Sequence, residues 1–308
     1  MLYDLIILGG GPAGVAAGIY AARKKIKFLL LTQYFGGQSV NSASIENFIG
    51  FKSISGIELA KNLEEHLRAQ SEAEIKDGVT VVSIKKNEDV FEITDSSGEI
   101  YKSKTILYTL GSGYKKLNIP GEKEYEGKGV FYCSICDAPL MKEKDVVVIG
   151  GGNSGLEAVR DLIPYASKIT ILEFSDNPKG DPSTYEKIMS SGKVSLITSA
   201  KIEKIFGDKF VNKIEYQDLK NGEKKEINVS GVFIAVGWKP NSGLIKDFVK
   251  IDKYEHIIVD HKTFQTSCSG LWAAGDVTDS LYAQINPAIG DGVKAILNIY
   301  DYLQNKQS

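Results

Sequence analysis

Cysteine is scarce: there are three in 308 residues, two of them as Cys133-Ser-Ile-Cys136. A disulfide-stapled scaffold is excluded, and a reducing, cytoplasmic setting is expected. Histidine is as sparse, and His66, His256 and His261 stand apart with no serine or cysteine partner motif beside them. Cys268 likewise gives Cys133 and Cys136 no second ligand pair, so no zinc or other metal site is expected. Charge of one sign is lacking too: 37 Lys and Arg oppose 39 Asp and Glu, for a net charge of −2, and no five like charges run together. Neither a nucleic acid nor a membrane surface is expected as a partner. The uncharged stretch from Leu5 to Ala22 has no basic segment before it, and its glycines and Pro12 mark it as strand, turn and helix.

What the sequence has in excess is glycine, 31 residues of it, and the clusters repeat. An apolar strand, Leu2 to Leu8, runs into Gly9-Gly-Gly11-Pro12-Ala13-Gly14, then a helix to Arg23 and a strand from Ile26 to Leu31. From Asp145 the same order returns, with VVVIG, the turn Gly150-Gly-Gly152-Asn153-Ser154-Gly155, a helix to about Pro164 and a strand from Lys168 to Leu172. Thr32 and Glu173 each stand 23 positions after the first glycine of their unit. A GxGxxG that follows a strand and opens a helix permits a tight turn, a close approach of backbone to a pyrophosphate and a helix N-terminus aimed at it, so two dinucleotide sites are implied. Short strands follow each unit: 79–83, 90–94 and 100–108 after the first, 194–198, 211–217 and 226–229 after the second, with Asn221-Gly222 as a hairpin signal. A strand, Ala273-Ala-Gly275-Asp276 and a helix near Gly290 to Leu303 complete the chain.

The fold expected is α/β, with two Rossmann-like dinucleotide-binding domains, the second inserted into the first, each with a small antiparallel β insert. The boundaries give a discontinuous domain of 1–114 and 243–308 and a central domain of 115–242. Cys133-x-x-Cys136 reads as a redox dithiol, in which one sulfur exchanges with a partner's disulfide and the other resolves the mixed intermediate; a structural pair of core thiols is the alternative. Asp137 follows directly, placed as a proton donor and acceptor or as a helix cap.

Together, the two glycine units, the CxxC-Asp ahead of the second, Gly36-Gly37-Gln38, Glu46-Asn47 and the AAGDV ending at Val277 resemble the low-molecular-weight thioredoxin reductases over essentially the whole chain. The resemblance implies an FAD domain made from both ends of the sequence, a central pyridine-nucleotide domain carrying the dithiol, and a homodimer. It implies that Gly9, Gly11, Pro12, Ala13 and Gly14 hold the FAD pyrophosphate. Gly36, Gln38 and Asn47 would line the flavin, Gly275 and Asp276 would reach the ribityl-phosphate region, and Gln284 and Ile285 would approach the ring. Tyr108-Thr-Leu110-Gly111 departs from the family's frequent Ala-Thr-Gly but keeps the glycine, and Thr32 or Gln33 takes the place of an acid at the adenosine ribose. Gly150, Gly152, Asn153, Ser154, Gly155, Glu173 and Gly237 would hold the nicotinamide nucleotide. Cys136 matches the cysteine nearer the flavin, and Cys133 the one that attacks the protein substrate. Glycines 111, 113, 237 and 243 are placed to absorb the rotation such an enzyme needs between half-reactions.

The activity implied is a thioredoxin-disulfide reductase passing electrons from NAD(P)H through FAD and the Cys133/Cys136 dithiol to thioredoxin or a glutaredoxin-like protein. NADH is favoured over NADPH, because Glu173 repels a 2′-phosphate and the chain continues Phe174-Ser-Asp176-Asn-Pro where NADPH users of the family carry His-Arg-Arg. Three rivals are a ferredoxin-driven flavin reductase, a peroxiredoxin-system reductase and a non-catalytic flavin redox sensor. Leu172-Glu-Phe174 with Lys179-Gly-Asp181 is similar to the flavoprotein component of alkyl hydroperoxide reductase, though that component's extra N-terminal domain is not expected before Met1.

Overall fold

A computed structural model describes residues 1–42 and 44–307 and divides the chain into two units. One unit comprises Met1–Val40, Ile45–Gly113 and Lys239–Ser308; the other comprises Tyr114–Trp238 with the short piece Asn41–Ser44. The chain returns to the first unit at 238/239 rather than at 242/243. The cause lies in Asn241, whose N–H donates to Gly111 O at 3.0 Å, whose amide donates to Leu110 O at 2.8 Å, and whose carbonyl accepts from Tyr108 Oη at 2.5 Å.

In the first unit β1 (Leu2–Gly10) lies between β2 (Phe28–Phe35) and β6 (Ile100–Tyr108), with β3 (Glu74–Lys76) outside β2 and all four parallel. The later half of β6, Ile106–Tyr108, also pairs in parallel with β17 (Leu271–Ala273), which ties the end of the chain to its beginning. Its earlier half pairs antiparallel with β5 (Val90–Asp95), and β5 with β4 (Val81–Asn87), so one strand carries both the nucleotide sheet and its insert. Leu5 to Leu8 are buried without alternation, as expected of a parallel strand covered on both faces. Helix α1 (Pro12–Arg23) packs on α6 (Ile285–Gln307), while α2 (Gly56–Arg68) lies against α1. Helix α6 starts well ahead of the expected Gly290, because Pro287 falls in its first turn, where the missing N–H has no partner to lose.

In the second unit β9 (Asp145–Ile149) is central, flanked by β10 (Lys168–Leu172) and β11 (Val194–Ile197) on one side and by β15 (Gly231–Ile234) and β8 (Val130–Phe131) on the other, all parallel. Side chains of β9 alternate between two cores. Val146 and Val148 join Leu156, Val159 and Leu162 of α4 (Asn153–Leu162) and Ile188 of α5 (Pro182–Met189). Val147 and Ile149 join Ile205 of β12 (Ala200–Gly207) and Ile214 and Tyr216 of β13 (Val211–Asp218), which with β14 (Lys224–Asn228) form an antiparallel sheet. The chain passes between units along β7 (Ser112–Tyr114) and β16 (Trp238–Pro240). A one-turn helix, α3 (Ser134–Asp137), packs on α4 and carries the dithiol. Among the described residues no helix is long and apolar enough to cross a membrane.

Candidate functional site

The two glycine turns obey the same steric rules. Gly9 and Gly150 both take φ +111°, a conformation that disfavours any other residue, and a methyl group on either would meet the carbonyl oxygen of Thr109 at 2.5 Å or of Ala235 at 2.6 Å. A methyl on Gly14 or Gly155 would lie 1.9 Å from the carbonyl of that first glycine, so the third glycine is what lets helix and strand pack. The middle glycines behave differently: at Gly152 nothing stands within 4 Å, and at Gly11 only Gly37 Cα, at 3.9 Å. That open space lies at the N-termini of α1 and α4, which have no side-chain cap and no acid in their first turn, whereas Ser55 caps α2 and Asp181 caps α5. Uncapped amides beside room for a ligand fit a pyrophosphate at each turn.

The strand ends secure the turns. Thr32, 4% exposed, accepts the N–H of Gly10 at 2.9 Å and donates to Tyr34 O at 2.7 Å, leaving Gln33 as the exposed neighbour. In the second unit the half-buried Glu173 accepts the N–H of Gly151 at 2.5 Å through Oε2 and both the N–H and Oγ of Ser175, each at 2.8 Å, through Oε1. Burial acts to raise the Glu173 pKa, but the bonds from Ser175 and Gly151 and the ammonium of Lys179 outweigh it and hold the carboxylate ionised. The 177–185 segment folds back over this turn: Gly180 N–H and Tyr185 Oη both donate to Gly151 O, at 3.2 and 2.7 Å, and Asp181 N–H donates to Asn153 Oδ1 at 2.9 Å. Ser175 and Tyr185 carry no motif that would have marked them. Thr109 and Ala235 had one, since Tyr108-Thr-Leu110-Gly111 and Ile234-Ala-Val236-Gly237 occupy matching positions in the two units.

Around the first turn the remaining residues converge. Gly36 N–H donates to Gly10 O at 2.9 Å, Gln38 Nε2 donates to Ser112 O, and a methyl on Gly275 would meet Ala13 Cβ at 3.3 Å. Asn47 Nδ2 donates to Gln284 Oε1 at 3.1 Å, and Asn286 Nδ2 to Asn47 O at 2.8 Å, so the 45–54 loop and the start of α6 are joined, with Ile285 packed on Ile45, Ile54 and Leu59. Asp276 has no hydrogen-bond partner among the described residues; burial, then Asp291, pushes its pKa up to about 6. It is an acceptor that the fold itself does not use.

Cys133 and Cys136 form a disulfide at the start of α3, with Cα atoms 5.3 Å apart. Cys133 stands at the N-cap, and its sulfur accepts the N–H of Cys136 at 3.3 Å. Asp137 is 7% exposed, and burial raises its pKa to about 7, which lets it give or take a proton near neutrality. Ser134 Oγ donates to Asp161 Oδ2 at 2.7 Å, fastening the short helix to α4. Cys268 belongs to the other unit, where Lys86 Nζ lies 3.6 Å from its sulfur.

One chain thus carries two glycine turns of the dinucleotide type and, in the second unit, a Cys133–Cys136 disulfide followed at once by a buried acid. The family model described as pyridine nucleotide-disulphide oxidoreductase matches residues 3–292, and the chain belongs to that family. It is 41% identical over 301 residues to an NADH dehydrogenase of Bacillus subtilis (strain 168) and 38% identical over 301 residues to the F component of an alkyl hydroperoxide reductase of Staphylococcus aureus (strain MRSA252). Each match takes in 98% of this chain but 58% and 59% of the relative, so the chain spans about three-fifths of the length of these curated proteins. The thioredoxin reductase of Streptococcus pyogenes MGAS5005 superposes with a TM-score of 0.92 at 33% identity, covering 99% of both chains. The family implies FAD and a nicotinamide nucleotide, and the open middle glycines and unpartnered Asp276 fit such ligands.

Proposed function

We propose that the chain is a thioredoxin-disulfide reductase that takes electrons from NADH and delivers them through Cys133 and Cys136 to a thioredoxin- or glutaredoxin-like protein. The observation that carries this reading is the Cys133–Cys136 disulfide followed at once by a buried acid with a pKa of about 7. The first unit would hold FAD, through Gly9, Gly11, Gly14 and Asp276, and the second the nicotinamide nucleotide, through Gly150, Gly152, Gly155 and Glu173. Bound FAD supplies the two-electron chemistry linking a nicotinamide hydride to a disulfide. Glu173, ionised and held at the strand end, accepts from a ribose 2′-hydroxyl and repels a 2′-phosphate, which selects NADH.

In the exchange, the reduced dithiol presents Cys133 as thiolate, a form favoured by the N–H of Cys136. Cys133 Sγ attacks the partner's disulfide and expels one partner thiolate. Cys136 Sγ then attacks Cys133 Sγ, expels the second partner thiolate and re-forms the Cys133–Cys136 bond, so two electrons pass to the partner. Asp137 relays a proton to a leaving sulfur. A homodimer in the cytoplasm belongs to the same reading. Similarity to the F component of alkyl hydroperoxide reductase supports a second one, in which the same dithiol serves the carrier of a peroxidase.

The test is to follow thiol release from a thioredoxin disulfide by the FAD-loaded chain with NADH, NADPH or reduced ferredoxin as donor. Rapid release with NADH is expected, together with its loss in Cys133→Ser and Cys136→Ser variants that keep FAD. Release driven by ferredoxin alone, or persisting in either serine variant, overturns the reading.

A further inference from the structure

The carboxylate proposed above to read the ribose is itself read by a second residue. Both donors on Glu173 Oε1 come from Ser175, its N–H and its Oγ, at 2.8 Å each, while Oε2 takes the N–H of Gly151 at 2.5 Å. Ser175 Oγ also lies 2.9 Å from Asn177 O, so its single hydroxyl proton is shared between that carbonyl and the carboxylate, while the Ser175 N–H is given to Glu173 alone. A carboxylate on a flexible stem is a poor discriminator between a hydroxyl and a phosphate, because it turns away from either. Fixed at both oxygens, it is a stationary charge with free lone pairs, and discrimination by charge requires that stationarity.

We infer that Ser175 is a specificity-determining positioning residue: it orients Glu173 and thereby sets the preference for a nucleotide without a 2′-phosphate. The inference rests on the reading of Glu173 given above. Tyr185 provides the contrast within the same site. Its Oη donates to the carbonyl of Gly151 at 2.7 Å and makes no hydrogen bond to the carboxylate, whose charge reaches it only through space and, second to burial, raises the tyrosine's pKa. Loss of the tyrosine hydroxyl should loosen the turn for every dinucleotide alike, whereas loss of the serine hydroxyl should act on one class.

The experiment measures Kd for NAD+ and NADP+ by calorimetry on the FAD-loaded chain, where no turnover intervenes. Ser175→Ala is expected to raise the NAD+ Kd by roughly fivefold, the size of one hydrogen bond at a partly exposed site, and to leave the NADP+ Kd unchanged or lower. Ser175→Thr, which keeps the hydroxyl, is expected to restore the wild-type ratio, and Tyr185→Phe to raise both Kd values by the same factor. An unchanged ratio in Ser175→Ala, or a rise in both Kd values as for Tyr185→Phe, overturns the inference. Glu173→Gln separates the two levels of failure. If it shifts the ratio and Ser175→Ala does not, only the positioning role falls; if neither shifts it, the reading of Glu173 falls as well.

Discussion

The two glycine turns are one piece of geometry built twice and then made chemically different. Gly9 and Gly150 share φ +111°, and the third glycine of each turn seals against the first with the same 1.9 Å exclusion. They part at the end of the second strand, where Thr32 is buried and neutral with its hydroxyl engaged on both sides, and Glu173 is half-buried, charged and only partly engaged. The sterics that make a dinucleotide turn are therefore separable from the charge proposed to select a dinucleotide. The first requirement is met by the turn's own glycines and by a carbonyl on a neighbouring strand; the second is met 23 residues after the first glycine.

Breaking one turn at a time gives the largest effect expected. Gly14→Ala should abolish FAD retention, read as loss of absorbance near 450 nm, while Gly155→Ala should keep FAD and abolish NAD+ binding by calorimetry. Overpacking commonly costs about 1–3 kcal/mol, and here the clash is with backbone that has no rotamer to change. Gly11→Ala and Gly152→Ala sharpen the comparison, since they meet no close protein atom and should spare folding while weakening the ligand. If Gly155→Ala bound NAD+ normally, the third glycine would not be sealing that turn.

The next effect tests what the second unit has and the first lacks. Asp137→Asn should slow thioredoxin reduction by about 100-fold, at the low end of what a general acid supplies, without changing NAD+ affinity. Burial raises this carboxyl from 3.8 to about 7, so it is protonated below pH 7 and loses its proton above. Turnover that needs the acid should fall as pH rises through about 7, and the asparagine variant should lack that limb. The same shift means that ionising Asp137 works against folding above its ordinary pKa, so the variant should melt higher than wild type at pH 8. An unaltered pH profile in the variant would remove Asp137 from the chemistry.

Much of this was legible in the sequence. The glycine spacing, the apolar runs of β1 and β9 and the CxxC-Asp each carry their reason within a few residues. What was not legible depends on partners far along the chain. Ser175 and Tyr185 matter through where a loop returns, and Thr109 and Ala235, though marked by matching segments, matter through backbone carbonyls that only the fold brings to the glycines. Strand β8 has two residues and exists because β15 is beside it. The extent of α6 was hidden by Pro287, Gly290 and Gly292, residues that read as breakers; a methyl on Gly292 would lie 2.2 Å from Ala13 O, so that glycine serves the packing on α1.

Copying the first turn's residue into the second gives a smaller effect. Glu173→Thr keeps an oxygen for Gly151 N–H and removes the charge, so the preference for NAD+ over NADP+ should narrow by about tenfold, the order of one charge-assisted contact. A preference that survived this change would have to come from the missing arginines alone.

The smallest effect expected comes from the first turn. Thr32→Val preserves shape and burial but removes the hydroxyl that bridges Gly10 N–H and Tyr34 O. Gly10 is buried, so its N–H would be left unpaired away from water at about 1–3 kcal/mol. In a unit of this size that should lower the temperature of FAD release, followed by flavin fluorescence, by roughly 2–4 °C for each kcal/mol. Thr32→Ser, which keeps the oxygen, should release FAD close to the wild-type temperature. Because Thr32 carries no charge and both its bonds stay inside the fold, FAD affinity measured well below that temperature should hardly move, unlike the nucleotide preference on changing Glu173. If Thr32→Val released FAD at the wild-type temperature, the hydroxyl would not be supporting the turn, and the likeness between the two strand ends would be positional only.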